Sequence, residues 1–135
     1  MTFLKEAVRL AALSVRRGGG PFGAVVVKGG RVVGRGHNRV TLDVDPTSHA
    51  EVVALRDACR RLKTFSLKGC VLYASCEPCP LCLAAALWAR VDRVVFAADR
   101  RDAARAGFDD AVFYRELQVR PRGKLLPTAR RRVPG

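Results

Sequence analysis

Two short stretches, His49-Ala50-Glu51 and Pro78-Cys79-Pro80-Leu81-Cys82, decide how this chain folds and which metal ion it can bind. His and Cys are preferred zinc ligands in proteins, and two cysteines three residues apart have the spacing of a zinc site. We therefore take His49, Cys79 and Cys82 as the predicted ligands. Because zinc is tetrahedral, three protein ligands leave one position open for water, which is typical of a catalytic site.

Glu51 is predicted to carry protons and not to bind the metal. Zinc lowers the pKa of bound water from about 15.7 to about 7. A carboxylate beside the metal can take the water proton and deliver it to a substrate. The same residue pattern marks zinc-dependent nucleobase deaminases. The predicted reaction is attack of hydroxide on a ring carbon that bears an exocyclic amine, followed by release of ammonia.

The spacing also indicates where the metal lies. His49 and Glu51 are two residues apart, so they cannot share one helix face. They can converge at the N-terminal end of a helix, and Cys79 and Cys82 can share a face at the start of the next one. Two helix N-termini would then point at one ion, where their positive ends favour thiolates and hydroxide.

Composition limits the class of protein. A chain of 135 residues with 49% hydrophobic content fits one globular domain. Its longest apolar run, Leu81–Ala89, is far shorter than the roughly 20 residues of a membrane helix. The N-terminus lacks the layout of a signal peptide, so we expect a cytoplasmic location. An odd set of five cysteines favours metal binding over a disulfide framework.

The net charge of +13 suggests contact with nucleic acid but does not establish it. Residues 117–135 hold six Arg or Lys and no acid, and no aromatic residue interleaves with them as a stacking platform. We therefore favour a small-molecule substrate and no membrane partner, with nucleic acid as a possible but less favoured partner.

Hydrophobic periodicity predicts the order of elements. A helix over 3–17 is followed by two strands around Gly29-Gly30, a two-residue hairpin turn. After a loop over 39–47, a second helix is predicted from Ser48 to about Leu62, with Val52, Val53, Leu55 and Ala58 facing inward. A strand over 71–74, a third helix from Pro78 or Cys79 to about Arg90 and a strand over 94–97 follow. The chain then continues with a short helical piece over 102–106, a turn over 107–110 and a basic C-terminal segment. This order predicts a mixed sheet with helices on both faces.

Other interpretations of the two metal-binding stretches stay open. Cys76 could join His49, Cys79 and Cys82 in a closed structural site, although Glu51 would then have no purpose beside the metal. Glu51 by itself could simply stabilise a helix N-terminus.

Residues outside these stretches also have ordinary structural interpretations. His37 is expected to be a polar loop residue, and Asn38 could cap or turn the chain. By residue type alone, Trp88 would belong to the core. Asp109 and Asp110 would form a solvated turn.

The chain resembles the cytidine deaminase superfamily, and within it the bacterial guanine deaminases, over about Thr2 to Glu116. The residues that carry the resemblance are His49-Ala50-Glu51, Gly20-Pro21-Phe22-Gly23-Ala24, Gly36-His37-Asn38, Cys76-Glu77-Pro78-Cys79-Pro80-Leu81-Cys82, Trp88-Ala89-Arg90 and Ala106-Gly107-Phe108-Asp109-Asp110. The zinc motif is specific to the superfamily, and the last stretch points to guanine deaminase.

The resemblance implies a three-layer α/β/α fold with a central mixed sheet. One zinc per chain would be held by His49, Cys79 and Cys82, with Glu51 as the proton shuttle and Cys76 outside the ligand set. It also implies a homodimer, a role in purine metabolism and conversion of guanine to xanthine and ammonia. Residues 1–116 would form the deaminase domain, with 117–135 as a basic C-terminal segment.

The resemblance further implies which residues bind the substrate. Asn38 would hydrogen-bond the base, Phe22 and Trp88 would line the pocket, and Asp110 would lie near the bound purine. Guanine deaminases of this family close a longer tail over the site, whereas residues 130–135 here bring no aromatic side chain to such a lid.

Three alternative functions follow from the same residues. A more open pocket could take cytosine, another aminopurine or an aminotriazine. The positive charge is compatible with a tRNA adenosine deaminase, although Pro121, Pro127 and Pro134 interrupt any basic C-terminal helix. A zinc-stabilised binding module without turnover is the alternative outside enzymes.

Overall fold

The computed structural model describes residues 2–118 and 125–134. Its helices and strands are, in chain order, α1 Thr2–Arg16, β1 Gly23–Lys28, β2 Arg31–His37, α2 Val40–Asp43, α3 Ala50–Leu62, β3 Cys70–Cys76, α4 Pro80–Ala89, β4 Arg93–Ala98, α5 Arg100–Arg105 and α6 Ala111–Gln118. Residues 119–124 and 135 of the predicted basic C-terminal segment lie outside the described residues. In the part of the chain described, no helix has the length and apolar character needed to cross a membrane.

The four strands form one mixed sheet in the order β2-β1-β3-β4. The β1–β2 and β1–β3 pairs are antiparallel, whereas β3 and β4 are parallel. Gly29 and Gly30 join β1 to β2 with φ angles of +56° and +75°, which suit a two-residue hairpin turn. The predicted mixed sheet and its hairpin are confirmed.

Two apolar layers cover the sheet, one on each face. On β1, Val25 and Val27 pack with Leu10 of α1, while Ala24 and Val26 belong to the cluster that includes α3 and α4. This alternation follows from the two-residue period of a strand. The result is the α/β/α sandwich that the resemblance implied.

Small residues bring α3 directly against the edge strand β2. A Cβ added to Gly34 would lie 2.8 Å from the Cβ of Ala58, and one added to Gly36 would collide with the carbonyl oxygen of Ala50. The helix backbone therefore rests on the sheet without intervening side chains. This contact sets the position of the helix N-terminus and of His49, the N-cap residue just before it.

The structure corrects several predicted boundaries. The second long helix begins at Ala50 and the third at Pro80, so His49 and Cys79 are N-cap residues that precede their helices. Within α3, Val52 and Val53 are only half-buried, and Ala54 fills the interior beside Leu55 and Ala58.

Two helices were not predicted. The four-residue α2 lies within the predicted 39–47 loop, and α6 crosses the predicted boundary at residue 116. Each is shorter than the window of about 11–18 residues over which helical periodicity becomes visible.

Candidate active site

The three predicted metal ligands meet at the N-terminal ends of α3 and α4. The Nδ1 atom of His49 lies 3.5 Å from Sγ of Cys79 and 3.4 Å from Sγ of Cys82, and the two sulfur atoms are 3.7 Å apart. Zinc bonds of about 2.0–2.1 Å to nitrogen and about 2.3 Å to sulfur, at tetrahedral angles, would separate these atoms by about 3.6 and 3.8 Å. The donor set and its spacing therefore fit a zinc ion.

Cys76 does not join this group. Among the described residues, the cluster of side chains able to hold a metal consists of His49, Cys79 and Cys82. The Cys76 thiol lies 3.8 Å from the carbonyl oxygen of Asp99, and burial raises its pKa to about 11. The geometry therefore favours three protein ligands and an open fourth position over a closed four-ligand site.

The metal-free triad already favours one thiolate. A hydrogen bond joins the Cys79 and Cys82 sulfur atoms, and this contact holds the pKa of Cys79 well below its ordinary value. The same contact, together with burial, raises the pKa of Cys82. The contact with Cys79 also raises the pKa of His49. These shifts favour the thiolate form of Cys79, which is the form that binds a metal.

Glu51 lies in the first turn of α3, next to the triad but outside the ligand cluster. Its side chain is only 8% exposed, and this burial raises the pKa of the carboxyl group. A carboxyl group with a raised pKa gains and releases a proton more readily near neutral pH than an exposed one. This is the property that a proton shuttle requires.

A cavity of about 450 Å³ opens onto the triad and Glu51. Phe22 and Phe108 form one wall, with ring centroids 5.1 Å apart in an edge-to-face arrangement. The residues that line the cavity are Gly20, Phe22, Asn38, Val40, Thr41, His49, Glu51, Cys76, Glu77, Cys79, Arg100, Ala103, Gly107, Phe108, Asp109, Asp110 and Phe113. Apolar walls with a few polar groups are typical of small-molecule sites.

Asn38 is held firmly at the edge of this cavity. Its backbone N–H donates to the carbonyl oxygen of Phe22 at 3.0 Å, and its Oδ1 accepts a hydrogen bond from the N–H of Val40 at 3.2 Å. Gly20 packs closely on the amide, because a Cβ there would lie 3.1 Å from Cγ of Asn38. No hydrogen bond in the described part of the chain uses the Asn38 Nδ2 group, so it is available to a ligand.

The structure places Trp88 differently from both sequence interpretations. Its side chain is 79% exposed on α4, so Trp88 is not a core residue. It is also absent from the residues that line the cavity of this single chain. Residue type could not predict the exposure of Trp88, because α4 is apolar around its whole circumference and its sequence does not indicate which face packs against the rest of the protein.

His37 is a buried residue at the end of β2 and not an exposed loop residue. Its Nδ1 lies 3.0 Å from the Oγ atom of Ser14 on α1. Ser14 in turn donates to the carbonyl oxygen of Asn38. The His37–Ser14 contact therefore helps to hold the backbone of Asn38 in position.

Sequence reasoning missed a second group beside the cavity. Glu77 accepts a hydrogen bond from the N–H of Arg100 at 3.0 Å, and the Arg100 guanidinium lies 4.4 Å from the Tyr114 ring centroid. The Tyr114 hydroxyl donates to the carbonyl oxygen of Pro78 at 2.7 Å. These contacts join residues 14 to 36 positions apart, so no local spacing could have predicted them.

Comparison with known proteins identifies the family. The model of the cytidine and deoxycytidylate deaminase zinc-binding region matches residues 1–98. The chain is 52% identical over 127 residues to guanine deaminase from Bacillus subtilis, covering 93% of this chain and 81% of that protein. It is 45% identical over 96 residues to the tRNA-specific adenosine deaminase of Aquifex aeolicus, covering 71% and 64% of the two chains.

Solved structures agree with these sequence matches. The X-ray structure of Bacillus subtilis guanine deaminase superposes with a TM-score of 0.94 at 50% identity and covers 98% of this chain and 85% of the other. That of guanine deaminase from Nitrosomonas europaea gives 0.76 at 30% identity, covering 91% and 66%. With a His–Cys–Cys triad that could hold a metal ion, a buried carboxyl group and these matches over most of its length, the chain belongs to the cytidine and deoxycytidylate deaminase family and is a zinc-dependent nucleobase deaminase.

Proposed function

We propose that the enzyme hydrolyses free guanine to xanthine and ammonia. The observation that carries this proposal is that one cavity is lined both by Glu51, His49 and Cys79 and by Asn38, Phe22 and Asp110. Its volume of about 450 Å³ lies within the range of roughly 300–1,000 Å³ for small-molecule pockets. The similarity to guanine deaminases over more than nine tenths of the chain supports guanine over other bases.

In the proposed mechanism His49, Cys79 and Cys82 hold the zinc. When bound, zinc supplies Lewis-acid chemistry that lowers the pKa of water to about 7. Glu51 takes one proton from the attacking water and transfers it to the ring nitrogen, and it then takes the remaining proton of that water and passes it to the departing amine. Overall, water adds to the ring carbon, the carbon–nitrogen bond to the exocyclic amine breaks, and ammonia leaves. No redox step is involved.

Three further residues would orient the base. The Nδ2 group of Asn38 can donate to the guanine carbonyl oxygen, and Asp110 can accept from a ring N–H. Phe22 offers an aromatic surface, and its contact with Phe108 keeps the ring in place. Burial raises the pKa of Asp110.

A tRNA adenosine deaminase is the second candidate. It is favoured by the 45% identity to the Aquifex aeolicus enzyme and by the net charge of +13. That match, however, covers 96 residues, whereas the match to guanine deaminase covers 127.

We also propose that the chain is a homodimer. Helix α4 carries no charged side chain, yet its Leu87 and Trp88 are 73% and 79% exposed. An apolar helix face of this kind is normally covered by protein. A second copy of the chain is the expected cover, and Trp88 would be buried there. The cytoplasmic location and the role in purine metabolism stay predictions.

The decisive experiment measures ammonia release from zinc-loaded protein. The substrates are guanine, adenine, cytosine, an aminotriazine (ammeline) and a tRNA anticodon stem–loop. We expect the kcat/KM for guanine to exceed the others by at least a hundredfold. The Asn38→Ala variant should mainly raise KM, because it removes one hydrogen bond to the base. Turnover of the RNA alone would overturn the proposed substrate class, and turnover of another free base alone would overturn guanine.

A further inference from the structure

A second concave site borders the short helix α2. It has a volume of about 340 Å³ and sits between β2, α2 and α3. Four arginines and two acids line it, and we call it the arginine pocket: Arg35, Arg39, Arg56, Arg60, Asp43 and Asp57. Val40 and Thr41 of the same short helix line the catalytic cavity, so α2 borders both sites.

The two acids of the arginine pocket already have partners. Asp43 forms an ion pair with Arg39 at 3.0 Å. Asp57 pairs with Arg61 at 3.0 Å and also accepts the backbone N–H of Arg35. Glu6, on α1, lies 3.5 Å from the Arg35 guanidinium. The carboxylates around the pocket are thus engaged with other groups.

In the described part of the chain Arg56 and Arg60 have no carboxylate in direct contact, although Asp45 is near enough that its pKa is lowered first by the Thr47 hydrogen bond and then by the Arg56 charge. Within residues 2–118 and 125–134, neither forms an ion pair, and the one recorded side-chain partner of Arg56 is the Thr47 hydroxyl at 3.2 Å. The two residues lie one turn apart on the same face of α3. Like charges at this spacing repel each other on a helix. An anion placed between them would remove that repulsion.

The scaffold behind these side chains is rigid. Helix α3 rests its backbone on Gly34 and Gly36 of β2, so the two arginines start from fixed positions. The Thr47 contact also draws the Arg56 guanidinium toward the loop before α3. Guanidinium groups bind phosphate oxygens through paired hydrogen bonds, and preorganised ones lose less entropy on binding.

From these observations we propose that the arginine pocket binds a phosphate group, held chiefly by Arg56 and Arg60 with Arg39 at the side. Two sources share this chemistry: a free polyphosphate and the backbone of a single-stranded RNA. The site is separate from the deaminase reaction, which does not use any of the three arginines. Phosphate binding at this pocket would also give a function to part of the net charge of +13.

The test compares binding of two probes by the zinc-loaded protein. Tripolyphosphate is titrated by calorimetry, and a fluorescent 12-nucleotide uridine RNA by anisotropy at two salt concentrations. The Arg56→Ala/Arg60→Ala variant should weaken binding of at least one probe tenfold or more. Lys68→Ala/Arg93→Ala is the matched control, because it removes two exposed charges at the other edge of the sheet. That control should change either affinity less than twofold.

A charge-conserving variant separates a built site from diffuse attraction. Arg56→Lys/Arg60→Lys keeps both charges but loses the paired guanidinium hydrogen bonds, so binding should weaken at least threefold. Ammonia release by all three variants should stay within twofold of the parent, which shows that they are folded. Weakening for tripolyphosphate alone or for RNA alone supports the pocket and identifies the source, and weakening for both supports a pocket that accepts either source. Equal losses in the alanine variant and its control would overturn the proposal.

Discussion

The hydroxyl of Tyr114 donates a 2.7 Å hydrogen bond to the carbonyl oxygen of Pro78, the residue immediately before the metal-site cysteine Cys79. This bond joins α6 to the loop that precedes α4. Through this bond, α6 helps to hold the predicted ligand Cys79 in position. Pro78 itself is fully buried, so its carbonyl group depends on protein partners.

Removing this hydroxyl should destabilise the protein and loosen the metal site. For Tyr114→Phe we expect a loss of about 1 kcal/mol, or about 4 °C in Tm. The kcat/KM should fall severalfold because Cys79 is positioned less firmly. Tyr73→Phe is the control, since no described side-chain hydrogen bond involves the Tyr73 hydroxyl and its ring packs on Phe3. Thermal unfolding and ammonia release measure both effects, and equal behaviour of the two variants would contradict the proposed support.

Glu51→Gln should abolish most of the activity without loss of metal. The amide cannot accept and return a proton, so the rate should fall at least about a hundredfold. Because Glu51 lies outside the ligand cluster, the zinc content should stay near one per chain. The measurement pairs ammonia release with elemental analysis. Loss of zinc with loss of activity would mean that Glu51 belongs to the ligand set, and full activity would remove it from the mechanism.

Zinc should protect Cys79 from alkylation. In the metal-free protein the hydrogen bond between Cys79 and Cys82 lowers the pKa of Cys79, so its reactive thiolate should be populated at neutral pH. Cys76, with its pKa raised to about 11, should react slowly. Iodoacetamide labelling followed by mass spectrometry should therefore mark Cys79 first without metal and spare it with metal. Labelling of Cys79 that is unaffected by zinc would argue against its role as a ligand.

The buried His37 should make stability depend on pH. Burial lowers its folded-state pKa below the unfolded value of about 6.5. Between these two values the unfolded chain binds more protons, so stability rises with pH and is lost as the pH falls below about 6.5. His37→Asn keeps a polar group near Ser14 but cannot titrate. Urea unfolding of zinc-loaded protein from pH 7 to 5 should show a smaller loss for the variant, and parallel curves would contradict this.

The exposed face of α4 should hold the proposed dimer together. Trp88→Ser removes the largest apolar side chain from that face and should shift the protein toward monomer in light scattering coupled to gel filtration. Phe65→Ser is the control, because Phe65 is 89% exposed in the loop between α3 and β3. A parent protein that is monomeric at micromolar concentration, or a variant that stays dimeric, would exclude this face as the interface.

The sequence by itself determined the local elements and the chemistry they carry. Apolar residues at helical or alternating spacing marked the long helices and strands, because burial on one face imposes that period. Gly29-Gly30 marked the hairpin, since its turn needs two positive φ angles. His49, Cys79 and Cys82 stand in short motifs whose ligand chemistry is a property of the residues themselves. Glu51 was predicted in the same way, from its place beside His49.

Only the tertiary structure decided which distant groups meet and which faces are covered. Cys76 and Cys79 are three residues apart, yet only Cys79 lies within the metal cluster, because Cys76 still belongs to β3 while Cys79 caps α4. Trp88 is exposed because a fully apolar helix carries no periodic signal for its covered side. The links from Tyr114 to Pro78 and from His37 to Ser14 cross 36 and 23 positions. Such contacts depend on how the layers pack around the sheet, which no local pattern encodes.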